Sequence, residues 1–306
     1  MKLVSVIIPC YKNSQTLGRA IKSVIAQTYP LIEIIVVNDC SPESEDIENV
    51  LLQYCEVLYI RNSANAGPAS SRNKGLSSAR GEIVAFLDAD DEYHPKKIEL
   101  QVAVLEPGAV VTCGILRMSL DGKVKERRSG SRIIDDPNYL IYRNTLNGAG
   151  LLASRDLLIQ HGGYDGTLRA CEDWDLYLRL LSAGIKVKDI GYSLYFYYAS
   201  SCSLSSNHLS NNKWELEVIK RHSSRMNAKW KNSYRYPAML TIFLLRHIMR
   251  GEISKDQNFR LKIRCEIKAT YLLDNFIFIR FFLLLIAYLR LFFLVSLLPR
   301  YCADHP

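Results

Sequence analysis

An α/β fold built on a parallel sheet is predicted by three observations in the first hundred residues. Short runs rich in β-branched residues alternate with helical spacings, the runs are continuously apolar, and three of them end in polar residues. Continuous apolar runs mark strands buried on both faces, as in parallel sheets covered by crossover helices. A chain of 306 residues holds one large α/β domain with an appendage, or two modest domains. Its 48% hydrophobic content supports a large core and argues against disorder.

The elements follow in order. LVSVII (3–8) reads as a strand ended by Pro9, and residues 16–27 carry apolar positions at 17, 20, 21, 24 and 25, a helical spacing. EIIVVND (33–39) is a second strand, followed by a helix over 46–54, and VLYI (57–60) is a third strand. Residues 68–79 form a helix entered through a Gly-Pro turn and ended before Gly81. IVAFLD (83–88) is a fourth strand. Beyond VVTCGI (110–115) the pattern loosens: a polar, basic loop at 121–132, helices at 154–160 and 173–182, then a tyrosine-rich strand, YSLYFYY (192–198). No internal repeat is visible.

Charge divides the chain unevenly. Residues 211–306 hold 17 Lys/Arg against 7 Asp/Glu, whereas residues 1–210 hold 22 against 24. The expected boundary lies in SLSSNHLSNNK (203–213), giving a catalytic domain over 1–210 and a basic helical region over 211–306. A basic region suggests an anionic surface as partner. Within it, FIFIRFFLLLIAYLRLFFLVSLL (276–298) is long enough to span a bilayer, although Arg280 and Arg290 interrupt it. One central Arg costs about 2.5–3.5 kcal/mol on insertion scales, which the surrounding apolar residues offset. Membrane association by spanning or peripheral attachment is therefore expected; a helix buried against the body or a partner subunit is the alternative. Upstream basics (Lys255, Arg260, Lys262, Arg264, Lys268) suit an anionic cytoplasmic leaflet, leaving the main domain in the cytosol. The eight cysteines form no Cys-x-x-Cys pair, and no secretory signal peptide is visible, so reduced thiols and no zinc site are expected.

Chemistry concentrates where the strands end, since ligands of open α/β sheets sit outside the carboxyl ends of the strands. The first strand leads to Pro9-Cys10-Tyr11, the second to Asn38-Asp39, and the fourth to Asp88-Ala89-Asp90-Asp91. Tyr11 could pack on a base and Asp39 could accept hydrogen bonds from a base edge or ribose, although each alone is an ordinary turn residue. Asp-x-Asp brings together hard oxygen ligands suited to Mg²⁺ or Mn²⁺, with a diphosphate as co-ligand. The competing reading is an acidic cap on the following helix, with Pro95 as an early helical residue.

VSVIIPCYKN, VVND, NAGPASSRNKG, FLDADD and CEDWDLYLRL, in this order and spacing, resemble the family 2 glycosyltransferases of the GT-A fold over about residues 3–205. The resemblance implies a Rossmann-like, mostly parallel sheet that binds a nucleotide-diphosphate sugar. It implies nucleoside contacts at Pro9 and Tyr11, base recognition at Asp39, and a loop opened by Asn65 and Gly67. It further implies that Arg72 helps hold the nucleotide, that Asp88 touches ribose or metal, and that Asp90 is the direct Mn²⁺ or Mg²⁺ ligand. Asp91 is expected to cap the next helix. In CEDWDLYLRL it points to Asp173 as the general base for the acceptor hydroxyl, with Glu172 and Trp174 on the acceptor side. A helix dipole would lower the pKa of Asp173, so burial or an acidic neighbour such as Glu172 should offset it. Gly162-Gly163-Tyr164-Asp165 resembles the acceptor-shaping GGFDE segment.

Two departures qualify the resemblance. Where many relatives carry Arg-x-His, this chain has Tyr198 and Ser200, with His208 the nearest histidine, so a third protein ligand for the metal is not in evidence. The Gln-x-x-Arg-Trp block of processive synthases is missing, which favours transfer of a single sugar. The expected partners are a nucleotide-sugar donor, a glycan or lipid-linked glycan acceptor and a membrane, without nucleic acid. The expected setting is cell-envelope polysaccharide or other glycoconjugate synthesis. A sugar nucleotidyltransferase would show a Gly-rich phosphate loop where PCYKNSQTLG stands, and a non-catalytic sugar-nucleotide-binding protein would have lost the acids.

Overall fold

The computed structural model describes residues 1–118, 124–128, 131–137, 140, 144–198 and 208–223. The segment 276–298 lies outside them, and among the described residues no helix is long and apolar enough to cross a membrane.

The first half is built as βαβ units. Strands β1 (Val4–Cys10), β2 (Ile32–Asn38), β3 (Leu58–Arg61) and β4 (Ile83–Phe86) alternate with helices α1 (Ser14–Ile25), α2 (Ser44–Leu51) and α3 (Pro68–Ser78). The four strands are parallel, in the order β3-β2-β1-β4. β1, β2 and β4 are buried almost throughout, as their unbroken apolar runs require. Leu17, Ala20, Ile21 and Val24 line one buried face of α1. On α3 the close approach is made by Gly75, where a Cβ would collide with the side chain of Ile7.

Pro9 lies inside β1 rather than ending it. Val4 N–H donates towards β2, to Leu31 O, while Ile7 O accepts Leu87 N–H beyond the end of β4. Alternation along the strand therefore aims position 9 towards β4, whose pairing stops at Ile7↔Phe86. A missing N–H costs nothing there.

The second half makes the sheet mixed. After β5 (Glu92–Tyr93) and α4 (Lys97–Val102) come β6 (Ala109–Met118), β7 (Val124–Arg128), β8 (Ser131–Ile134) and β9 (Leu152–Ser154). Helices α5 (Arg155–Gln160) and α6 (Glu172–Ser182), strand β10 (Lys186–Tyr198) and α7 (His208–Ser223) complete the described elements. The order continues β4-β9-β6-β10-β5, with β9 antiparallel to both neighbours and β10 parallel to β6. The expected basic loop at 121–132 contains strands: β7 pairs with β6 and β8 with β10. VKERR is a charged sequence, which is tolerated where a strand pairs on one side only. The fourth strand stops at Phe86, so Asp88 stands beyond the sheet edge.

Candidate active site

Parallel register brings three strand ends to one rim, with Cys10 opposite Asn38 and Asn38 opposite Arg61. The loops leaving that rim carry Tyr11, Asp39 and Asp88. Among the described residues, three non-glycine positions adopt left-handed backbone, Lys12 (φ 57°), Cys40 (φ 53°) and Cys171 (φ 63°), each next to a candidate residue. Strained conformations of this kind cost about 1–3 kcal/mol each and gather where a chain must present side chains at set angles.

At the ends of the first two strands, Tyr11 is 41% exposed, with Lys12 Nζ 5.5 Å from its ring centroid. Asp39 is buried, and its carboxylate organises the loop after β3. Oδ1 accepts Asn62 Nδ2–H (2.8 Å) and Ala66 N–H (3.0 Å), and Oδ2 accepts Gly67 N–H (2.8 Å). Asn65 Nδ2 donates to Asp39 O at 3.3 Å. Gly67 has φ 89°, and the Arg169 side chain lies where its Cβ would be. Asp39 and the loop that Asn65 and Gly67 open are thus one hydrogen-bonded unit.

Arg72, buried on α3, joins the two halves of the site. Nη2 donates to Asp88 Oδ1 at 2.7 Å and Nη1 to Glu172 Oε1 at 2.5 Å, with the guanidinium 5.3 Å from the Tyr164 ring centroid. The acids of the fourth-strand turn and those at the start of α6, remote in sequence, share one cation.

The acidic turn divides by direction. Asp91 is 1% exposed and accepts Tyr195 O–H and Tyr198 N–H, both at 2.8 Å. It therefore pins β10 and caps no helix: α4 begins only at Lys97, with no side-chain cap. Tyr195 Oη also accepts Asp88 N–H at 3.2 Å. Asp90 is half-buried, and burial together with neighbouring Asp88 pushes its carboxyl up to about 6. Arg19 of α1 donates to Asp90 O, pairs with Glu92 at 3.1 Å and covers the Tyr198 ring at 3.8 Å. Arg72 is committed to Asp88 and Glu172 while Arg19 partly offsets the charge on Asp90, so Asp88 and Asp90 form an oxygen donor pair of the kind that fits a hard divalent cation. Among the described residues no group of three or more His, Cys, Asp or Glu assembles around it. The remaining ligands of such a cation would be phosphate oxygens and water. Ser200 lies outside the described residues, as does the side chain of His208.

Asp173 stands in the first turn of α6. Burial, then the adjacent Glu172, raises its carboxyl to about 6 against the opposing pull of Trp174 N–H, Arg72 and Asn144. Oδ1 accepts Trp174 N–H (2.8 Å) and Oδ2 accepts Asn144 Nδ2–H (3.0 Å). Gly148 packs against it so closely that a Cβ would overlap the carboxylate. Trp174 is placed in the core, 2% exposed, its indole N–H donating to Leu140 O at 2.8 Å. Gly163 (φ 59°) turns the chain over Asn73, whose amide clasps Tyr164 N–H and C=O. Sequence reasoning missed Asn144, Gly148, Arg19 and Tyr195. The glycine-rich NGAG (147–150) was the one visible signal among them.

With this geometry in hand, comparisons with known proteins become informative. A family model, "Glycosyl transferase family 2", matches residues 5–161. TuaG of Bacillus subtilis, named as a teichuronic acid biosynthesis glycosyltransferase, is 31% identical over 227 residues, covering 70% of this chain and 83% of TuaG. An uncharacterized glycosyltransferase of Rickettsia felis is 32% identical over 200 residues, 58% of this chain and 31% of that protein. A Rickettsia typhi relative is covered over 58% of its length, so the chain spans less than two thirds of these rickettsial proteins. Among solved structures, S. aureus TarS 1-349 in complex with UDP-GlcNAc superposes with a TM-score of 0.57 at 17% identity, covering 88% of this chain and 92% of that one.

Proposed function

Since the chain belongs to glycosyltransferase family 2, we propose that it transfers one sugar, with inversion, from a nucleotide-diphosphate sugar to a hydroxyl acceptor. The observation that carries this reading is the Asp88–Arg72–Glu172 bridge, which ties the candidate base Asp173 to the donor-side acids. Asp173 takes the proton of the acceptor hydroxyl as its oxygen attacks the anomeric carbon. The bond from that carbon to the diphosphate oxygen breaks, and its electron pair leaves with the nucleoside diphosphate. With no second carboxylate assigned as a covalent nucleophile, the reading is one direct displacement at the anomeric carbon, and attack opposite the leaving group inverts that centre. A carboxyl raised to about 6 is ionised at neutral pH yet basic enough to share a proton.

Asp90, with Asp88 beside it, would hold Mn²⁺ or Mg²⁺, which when bound supplies charge neutralisation for the departing diphosphate. Tyr11 and the Asp39 loop face the nucleoside, and Arg72 fixes Asp88 beneath it. A nucleotide-sugar donor is supported by the UDP-GlcNAc complex of S. aureus TarS, which shares the fold. Relatives named for teichuronic acid and colanic acid synthesis support an envelope-glycan acceptor. A lipid-linked acceptor at the cytosolic membrane face, reached through the basic, apolar region after 210, completes the proposal.

The test uses membranes containing the full chain, a panel of radiolabelled nucleotide sugars and lipid acceptors, and Mn²⁺ or EDTA. Transfer should require the metal, and Asp173→Asn should lower it by at least about 10²-fold. Undiminished transfer by Asp173→Asn would remove the base assignment, and wild-type rates in EDTA the role of Asp90.

A further inference from the structure

A fully buried lysine is costly unless its charge is used. Lys97 on α4 has no exposed surface, and its Nζ donates to Gln101 Oε1 at 2.7 Å and lies 3.9 Å from the Tyr93 ring centroid. A leucine would fill the same space without desolvating an ammonium. What the lysine adds is direction. An ammonium only donates, so Gln101 must turn its carbonyl oxygen towards Lys97 and its NH₂ away. That NH₂ donates to Gly150 O at 2.8 Å and Val111 O at 3.4 Å.

Gly150 closes the turn Asn147-Gly148-Ala149-Gly150 through its N–H to Asn147 O at 3.2 Å. Asn147 O also accepts Tyr177 O–H at 2.9 Å and Thr112 O–H at 3.1 Å. Gln101, Thr112 and Tyr177 are all fully buried. Donors from α4, β6 and α6 thus grip both ends of the turn whose Gly148 abuts the Asp173 carboxylate. Asn144, just upstream, donates to the same carboxylate.

We infer that Gln101, oriented by Lys97, is a positioning residue for Asp173: it clamps the 147–150 turn against which the carboxylate rests. The inference builds on the proposed role of Asp173 as base. The groups facing that carboxylate are Glu172, the Trp174 N–H and Tyr177 from α6, Arg72 from α3, Asn144 just before the turn, Gly148 in it, and Tyr164. Only the turn depends on Gln101.

Gln101→Glu tests it. The oxygen facing Lys97 is kept, while the N–H donors to Gly150 and Val111 become an acceptor. Tyr177→Phe combined with Thr112→Val opens the opposite end without adding charge. In full-length protein labelled with carboxyl-¹³C aspartate, the Asp173 signal is the one missing from Asp173→Asn. Its titration midpoint should move in both variants. On whichever nucleotide sugar of the panel is turned over, kcat should fall roughly ten- to a hundredfold with donor KM within about twofold. Should Gln101→Glu fail to fold, the Tyr177→Phe, Thr112→Val variant carries the same expectation. A folded variant with the wild-type midpoint and kcat would overturn the inference. Active Asp173→Asn would instead remove the base assignment, with the titration still reporting on the clamp.

Discussion

Gly148 shows how a single residue can be decisive and nearly silent in sequence. Its φ is not left-handed; what it supplies is the missing Cβ, for which Asp173 leaves no room. Gly148→Ala should therefore push the carboxylate off its partners Asn144 and Trp174, lowering kcat by about 10²-fold with little change in nucleotide affinity. Steady-state kinetics alongside UDP titration would check this. Other residues were more legible. Asp88 and Asp90 drew notice from spacing, because consecutive acids at a strand end are costly unless a cation answers them, whereas Arg72 and Asp173 were singled out through the family resemblance. Asp91 was misread because its carboxylate points inward to Tyr195 and Tyr198, and side-chain direction after a strand end is not encoded in spacing.

Among the elements, α6 is held from two sides. Arg72 grips its first turn through Glu172, and α7 grips its flank: His222 Nε2–H donates to Asp175 Oδ1 at 2.9 Å, both residues 3% exposed. Arg221 of α7 also pairs with Asp165 at 2.6 Å, in the loop before α6. Asp175 keeps Arg179 at 2.7 Å, so removing the histidine leaves one buried carboxylate oxygen unpaired. His222→Ala should cost about 1–3 kcal/mol and expose α7 to proteolysis, while His222→Gln restores much of the loss. Urea unfolding and limited trypsin digestion measure both. Helices α1, α2, α3, α5 and α6 were visible from spacing and turn signals to within a few residues, whereas α4 and α7 were given no bounds. The short strands β5, β7, β8 and β9 were not visible, since two to five residues carry too little period to separate them from loop.

Across the whole molecule, the site imposes a cost that pH reveals. Asp90 and Asp173 are each raised to about 6 by burial and a neighbouring carboxylate, above an ordinary value near 4. Between about pH 4 and 6 the folded chain then binds more protons at these groups than the unfolded chain. Their contribution to stability therefore falls as pH rises through that window. Glu33, Asp165 and Asp175, held below the usual carboxylate range by hydrogen bonds and charge, act in the opposite sense and lose stability on acidification. Asp173→Asn should thus melt roughly 2–6 °C above wild type at about pH 7.5, the gain vanishing towards pH 4. Differential scanning calorimetry at the two pH values decides it.

By itself the sequence determined the βαβ half of the sheet and the acids that stand at its strand ends. These depend on local period and on spacing within one strand–loop unit, which a linear chain displays openly. Only the tertiary structure decided that Arg72 spans Asp88 and Glu172, the latter a hundred residues further along the chain, and that Asp91 turns inward. It alone brought Lys97, Gln101, Thr112 and Tyr177 around a four-residue turn. Such contacts depend on which strands become neighbours, and β9 inserted between β4 and β6 is a pairing no local pattern announces.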